Sequence, residues 1–302
     1  PKGIQLKDVY LDRTKTDAFL EQLSNEELAM LLSGDSKNAV IYGGVGCTHP
    51  IAERGVPPVQ TVDSPMDLSF GLPWSPPRNP STLILTASFD KSLYEYYGDV
   101  MGDAANAFNV GFWLAPAVNI LRNPCGGRCR DYSSEDPYLS GIYAKHVIDG
   151  VNKHGVAAIL KHYCANNTEF ERLKSNSRVS ERALREIYMK AFEIAVKGTD
   201  VAGIMTSYNS VNDRKVCVDP TLITDIPRKE WNWEGAFMTD WWNDTVHAEE
   251  IAAGHDIKMT NGDIEGVAEA LNTGRLSREQ TYTCAKRVIR LLLKLKSVHN
   301  SF

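Results

Sequence analysis

Asp240 closes the run Gly235-Ala-Phe-Met-Thr-Asp-Trp-Trp, a carboxylate at the end of an apolar, strand-like stretch with two indoles directly after it. That pairing suits chemistry on sugars. An ionised carboxylate meets the positive charge that develops at an anomeric carbon, and flat apolar rings take the C–H face of a pyranose. A strand-end aspartate also commonly caps a following helix, so the residue type alone leaves both roles open. Other reactive side chains end apolar stretches in the same way. Asp63 follows 58–62, Lys161 and His162 follow 157–160, and Tyr208 follows Met205-Thr-Ser. Taken singly, Lys161 and His162 read as a buried lysine paired with a carboxylate and a core histidine, and Tyr208 and Trp241 as core aromatics. Their convergence at equivalent strand ends is what points to a site.

The elements that must position these groups alternate between strand-like and helix-like patterns. Strands are expected at 39–42, 58–62, 111–115, 157–162, 203–207, 236–239 and 255–259. Amphipathic helices are expected at 17–32, 89–108, 137–153, from Ser180 onward, 264–272 and from Ser277 onward. Such alternation implies a mostly parallel sheet wrapped by helices. About seven strands over this length favour an α/β fold of the (β/α)8, TIM-like barrel kind, with one strand irregular or missing, over an open doubly wound sheet. In a barrel, function gathers at the carboxyl ends of the strands, where the residues named above lie. No G-x-G-x-x-G fingerprint and no P-loop occurs. Residues 64–81, rich in proline and serine with Trp74, read as a long irregular loop.

Composition narrows the function classes. The chain has 302 residues, 43% of them hydrophobic, enough for a full core. A net charge of −5, with 33 scattered Lys and Arg, offers neither a basic stripe for nucleic acid nor a polybasic cluster for an anionic membrane. No apolar run approaches the roughly 18–20 residues of a membrane span. Cysteines stand at 47, 125, 129, 164, 217 and 284. Cys125 and Cys129 are close, but no second pair or histidine spacing completes a metal site, so no metal is expected. Reduced thiols fit a reducing compartment, and a cytoplasmic location is the expectation.

Several blocks together resemble glycoside hydrolase family 3, with the closest similarity to its β-glucosidase branch. They are Trp113-Leu-Ala-Pro-Ala-Val-Asn-Ile-Leu-Arg-Asn-Pro, Gly126-Gly-Arg, Ser134-Glu-Asp-Pro-Tyr-Leu-Ser-Gly, Leu160-Lys-His-Tyr-Cys-Ala-Asn-Asn, Val179-Ser-Glu-Arg-Ala-Leu-Arg-Glu-Ile-Tyr, Met205-Thr-Ser-Tyr-Asn and Met238-Thr-Asp-Trp. They span roughly residues 18–296 in the family's order. The resemblance implies that Asp240 is the nucleophile of the (S/T)-D-W motif. It implies that Lys161 and His162 hold sugar hydroxyls, that Arg128 of the G-G-R motif shares their pocket, and that Asp63, from the D-G-P motif, grips remote hydroxyls. Tyr208 is implied beside the nucleophile, Met205 beside the same pocket, and Trp241 as the aromatic that follows the nucleophile.

The implied activity is that of a retaining, exo-acting β-glucosidase needing no cofactor, because two carboxyls suffice. The second carboxyl is where the chain runs short. In the β-glucosidase branch it usually comes from a second α/β domain. The loop after Lys161-His162 lacks the K-H-F-P-G-H-G pattern of the branch that uses a histidine instead. Glu135, Glu169, Glu171, Glu249 and Glu250 are in-chain carboxyls, none of them singled out by pattern. The segment Lys2-Gly-Ile-Gln-Leu-Lys-Asp-Val-Tyr resembles the connector of members in which the α/β sandwich precedes the barrel. The expectation is a connector at 1–16, a catalytic barrel at 17–302, and a second domain or chain as partner beside the β-glucoside or oligosaccharide substrate. Departures from the family pattern at Asp63-Ser-Pro, Asp67, Cys129-Arg-Asp-Tyr-Ser, Glu169-Phe-Glu-Arg and the doubled Trp242 bear on substrate identity. Glucoside, xyloside and N-acetylhexosaminide hydrolysis, phosphorolysis, and a sugar-binding module without turnover all remain open.

Overall fold

A computed structural model of the chain describes residues 3–37, 44–70 and 79–302. Its centre is a ring of eight short extended segments, seven of them strands: β1 (Gly34–Asp35), β2 (Cys47–Thr48), β3 (Thr61–Val62), β4 (Phe112–Trp113), β5 (Ala157–Tyr163), β6 (Gly203–Thr206) and β7 (Ala236–Thr239). The run β3-β4-β5-β6-β7 is parallel throughout. Residues 257–258 supply the eighth segment through single bridges, Met238 to Ile257 and Ser33 to Lys258, both parallel. β2 closes the circle: it lies antiparallel to β1 and, through Cys47 and Gln60, antiparallel to the start of β3. The fold is therefore a TIM-like barrel with one reversed segment, as the alternating pattern implies, and the irregular member is now located.

Individual expectations fare differently. The strands expected at 157–162, 203–207 and 236–239 form, whereas 58–62 and 111–115 shorten to two paired residues each. The stretch 255–259 makes only bridges, and 39–42 lies outside the described residues. The helices at 89–108, 137–153 and 264–272 appear as Lys91–Ala107, Pro137–Asn152 and Ile264–Asn272. Aspartates cap all three: Asp90 accepts from Ser92 N at 2.9 Å, Asp136 from Tyr138 N at 2.7 Å and Asp263 from Gly266 N at 2.9 Å. The single helix expected over 17–32 is instead two, Thr16–Glu21 and Asn25–Leu31. The reason is a capping box: Ser24 accepts from Glu27 N, and the Glu27 carboxylate accepts from Ser24 N at 2.8 Å. Residues 6–11 form a helix of their own, with Leu6 and Val9 fully buried in the same core as Leu20 and Leu292.

Strand periodicity sorts the barrel's side chains. Phe112, Leu114, Ala157, Ile159, Met205, Ala236, Met238 and Ile257 pack in one cluster. Their neighbours Trp113, Ala158, Leu160, Ile204 and Phe237 pack in another, with Tyr143, Val147 and Phe192 of the surrounding helices. The first set fills the barrel, and continuing its two-residue step upward along β5 and β7 reaches Lys161 and Asp240. At the opposite end, Asp256 is fully buried and pins the entry to β7. Its carboxylate accepts from Phe237 N at 2.7 Å, from Arg287 at 2.7 Å and from Arg228 at 3.0 Å. Asp256→Asn leaves two enclosed guanidiniums without their counter-charge. It is expected to cost about 3–5 kcal/mol in urea unfolding followed by tryptophan fluorescence, and a loss under about 1 kcal/mol would reject this account.

Candidate active site

At the carboxyl ends of the strands lies a cavity of about 420 Å³ lined by Val45, Asp63, Leu114, Arg128, Lys161, His162, Arg172, Met205, Tyr208, Asp240, Trp241 and Trp242. All eight residues singled out from sequence are among them. Asp63 follows β3, Lys161 and His162 lie within β5, Met205 lies within β6 with Tyr208 just beyond, and Asp240 and Trp241 follow β7.

The Asp240 carboxylate is positioned by several short-range contacts. Its Oδ1 accepts from the next residue's backbone N at 2.7 Å, and its own N donates to Thr206 O at 3.2 Å, extending the β6–β7 ladder by one rung. Tyr208 lines the cavity beside the same carboxylate, and its phenol favours the ionised form of Asp240. Burial, followed by the charge of Asp240, pushes the Tyr208 phenol above its ordinary range, so it stays protonated. The Arg172 guanidinium lies 4.8 Å from the centre of the Tyr208 ring, stacking positive charge on the aromatic face. Trp241 is tied down from across the barrel, its indole N donating to Val45 O at 2.8 Å. Trp242, by contrast, is 74% exposed at the cavity mouth.

Positive charge surrounds the pocket. Lys161 is 2% exposed and bonds Asp63 Oδ1 at 2.5 Å. Burial pushes the Asp63 carboxyl up, but the charge and hydrogen bond of Lys161 outweigh it, leaving Asp63 below the usual carboxylate range. For Asp240 the balance goes the other way. Burial dominates Lys161, the Trp241 N–H, Tyr208 and Arg172, and the carboxyl is held above its ordinary value. His162 is pushed well down, first by burial and then by Arg128, Lys161 and Arg172. It is therefore a neutral imidazole at neutral pH, and its Nε2, 3.7 Å from Asp240 Oδ2, makes no ion pair. A paired amide holds it: Asn119 donates to His162 O and accepts from His162 N, each at 2.8 Å.

Behind this lining stands a set of residues that the strand-end pattern does not reveal. Glu169 accepts from Arg172 at 2.8 Å and from Asn166 at 3.1 Å and faces Arg128 at 3.7 Å. Arg128 also bonds Asp131 at 2.8 Å and lies over the Tyr132 ring at 5.5 Å. Arg172 occupies the arginine position of the family's E-x-N-R pattern, so a signal for it was present in sequence. Asn119, Tyr132 and Asn166 act through buried hydrogen bonds between segments distant in sequence and carry no local signal. Neither Asp67, which is buried, nor Arg130, which is exposed, lines the cavity among the described residues. Ser64 takes φ +96°, a conformation glycine adopts freely, at the position where the family pattern reads glycine. Its carbonyl accepts from Trp113 Nε1 at 2.9 Å.

Among the described residues the cavity's carboxylates are Asp63 and Asp240. Glu250 is buried against Lys258 at 2.6 Å, Glu169 is occupied as above, and Glu135, Glu171 and Glu249 are exposed away from the cavity. The described residues contain no cluster of His, Cys, Asp and Glu suited to a metal ion.

The N-terminal domain model of glycosyl hydrolase family 3 matches residues 75–291. The chain belongs to glycosyl hydrolase family 3. This family 3 chain is 39% identical to β-glucosidase A of Butyrivibrio fibrisolvens over 86% of its own length and 31% of that protein's. It is 34% identical to an exo-α-(1→6)-L-arabinopyranosidase of Bifidobacterium breve, over 92% of this chain and 37% of the relative. A solved β-glucosidase of Paenibacillus barengoltzii superposes with a TM-score of 0.93 at 34% identity, covering 99% of this chain and 35% of that one. The chain thus spans about a third of the length of the curated relatives it matches.

The raised Asp240 carboxyl has a consequence for stability. A folded-state value above the unfolded 3.8 means that ionisation is penalised by folding. The native state is favoured below the unfolded value and loses that advantage as pH rises through the folded one. Asp240→Asn, neutral at every pH, is therefore expected to melt higher than the parent at pH 7, with the difference vanishing near pH 3. Thermal melts across that range test it, and a parent protein more stable than the variant at pH 7 would contradict the assigned balance.

Proposed function

We propose that this barrel is the glycone-binding and nucleophile-bearing part of a retaining, exo-acting β-glucosidase. One observation carries the reading: a largely buried carboxylate, Asp240, lines one cavity together with Lys161, His162, Arg128 and Asp63. In this reading Asp240 attacks the anomeric carbon and forms a glycosyl ester, which water then hydrolyses. Tyr208 orients the attacking oxygen. Lys161, Arg128 and Asp63 make charge-assisted hydrogen bonds to the sugar hydroxyls, neutral His162 adds a hydrogen-bonding nitrogen, and Trp241 and Met205 offer apolar faces. Lys161 and Arg172 also favour the ionised nucleophile against the burial that opposes it.

The leaving oxygen must still be protonated by a second carboxyl about 5–5.5 Å from the nucleophile. The described cavity offers Asp63 alone, and Lys161 holds that residue ionised. A second α/β domain or another chain is accordingly the proposed source of the acid. A cytoplasmic setting stays part of the proposal, in keeping with six free thiols. No helix among the described residues is long and apolar enough to cross a membrane. The same shortage of carboxyls favours a second reading, a sugar-binding barrel that turns over only when assembled with its partner.

A substrate whose leaving group needs no proton separates the two halves of the chemistry. Incubation with 2,4-dinitrophenyl 2-deoxy-2-fluoro-β-glucoside is expected to add one fluoroglucosyl group, mapped to Asp240 by peptide mass spectrometry. Asp240→Ala is expected to lose the adduct and at least about a thousandfold in rate on dinitrophenyl β-glucoside. A protein that binds glucose but stays unmodified supports the binding module, and an adduct elsewhere removes Asp240 from its role. Xylosides and arabinopyranosides belong in the same panel, given the arabinopyranosidase among the relatives.

A further inference from the structure

Five residues of the loop between β4 and the helix Pro137–Asn152 carry two thiols on either side of the pocket arginine: Cys125-Gly126-Gly127-Arg128-Cys129. Cys125 is exposed and Cys129 half-buried, whereas the other four cysteines are buried. The loop is a tight turn. Gly126 N donates to Asn123 O at 2.9 Å, and Cys125 N donates to the Asn123 side chain at 2.8 Å. The Cys129 thiol donates to Pro124 O at 2.6 Å. That carbonyl is bonded directly to the Cys125 nitrogen, so the sulfur of Cys129 already lies beside the backbone of Cys125. The turn thus folds the Cys129 thiol back onto the peptide unit that leads into Cys125, the approach from which a bridge between them can close.

The turn is also coupled to the pocket. Arg128, between the thiols, lines the cavity and bonds Asp131 at 2.8 Å. Gly127, at φ +92°, leaves room for the Glu169 side chain, whose carbons lie 3.1 Å from where a Cβ would stand. Glu169 N in turn donates to Gly126 O at 3.2 Å. A movement of this turn displaces Arg128 and its carboxylate partner together.

We propose that Cys125 and Cys129 form a thiol-modification site that closes to an internal disulfide and weakens the glycone pocket by moving Arg128. The oxidant class is a small-molecule disulfide such as oxidised glutathione. The exposed Cys125 thiolate attacks one of its sulfurs, forming a mixed disulfide and releasing one thiolate. The Cys129 thiolate then attacks Cys125 Sγ, closing the ring and expelling the second. Two electrons pass from the cysteine pair to the reagent, and the two thiol protons end on the two released thiols. A dithiol reductant reverses the sequence.

The effect on sugar rests on the glycone reading above; formation of the disulfide does not. The protein is equilibrated with oxidised glutathione, free thiols are alkylated, and sites are mapped by mass spectrometry. Glucose affinity is followed by tryptophan fluorescence in parallel. Expected are protection of Cys125 and Cys129 as an internal disulfide, glucose binding weakened about tenfold, and recovery with dithiothreitol. Cys125→Ser is expected to bind glucose equally well with or without the oxidant. Two alkylated cysteines, or a glutathione adduct that never resolves, would overturn the site. An internal disulfide with unchanged glucose affinity would overturn its coupling to Arg128. Reduced protein that binds no glucose would count against the glycone reading, while the mass measurement still decides the disulfide.

Discussion

Everything in the pocket follows from the need to keep one buried carboxylate ionisable. Asp240 has no ion-pair partner of its own, and burial opposes its charge. Compensation comes at a distance from Lys161 and Arg172, and those cations need partners in turn. Lys161 is held by Asp63, and Arg172 by Glu169, which also faces Arg128. The alternation of sign extends outward from Asp240 until it reaches solvent. Removing the outer carboxylate Asp63 would leave Lys161, whose side chain is 3% exposed, without its counter-charge, and such losses are costly.

Backbone geometry places the two most important groups. Lys161 and Asp240 fall on the inward step of β5 and β7, one repeat above Ile159 and Met238, whose apolar side chains fill the barrel beneath. A one-residue slip in either strand would turn them into the helical layer. The parallel register Met238 to Met205 and the rung from Asp240 N to Thr206 O oppose such a slip at β7. Asp256 opposes it from the other end.

What was legible in sequence was whatever local pattern encodes. Strand ends bearing Asp63, Lys161, Tyr208 and Asp240 stood out because an apolar run stopped at a reactive side chain, and helices stood out where aspartates cap them. Segments 33–35 and 47–48 did not, since two paired residues have no periodicity to detect and their pairing is fixed by the neighbouring strands. The division of 17–32 was written in Ser24 and Glu27, but the continuous apolar spacing masked it. Tyr132, Asn119 and Asn166 earn their places through contacts of thirty residues' separation or more, which a one-dimensional reading does not contain.

The reversed β2 and the bridge from Ser33 to Lys258 also govern the order in which a growing chain can finish its work. Segment 33–35 leaves the ribosome early but finds its parallel neighbour only when residue 258 emerges, a wait of roughly 10–45 s at ordinary synthesis rates. Trp241, beside Asp240, must likewise return to Val45. During that interval the strands have a free edge and the barrel's apolar interior stands open. The pocket around Asp240 is therefore among the last features of the barrel to form.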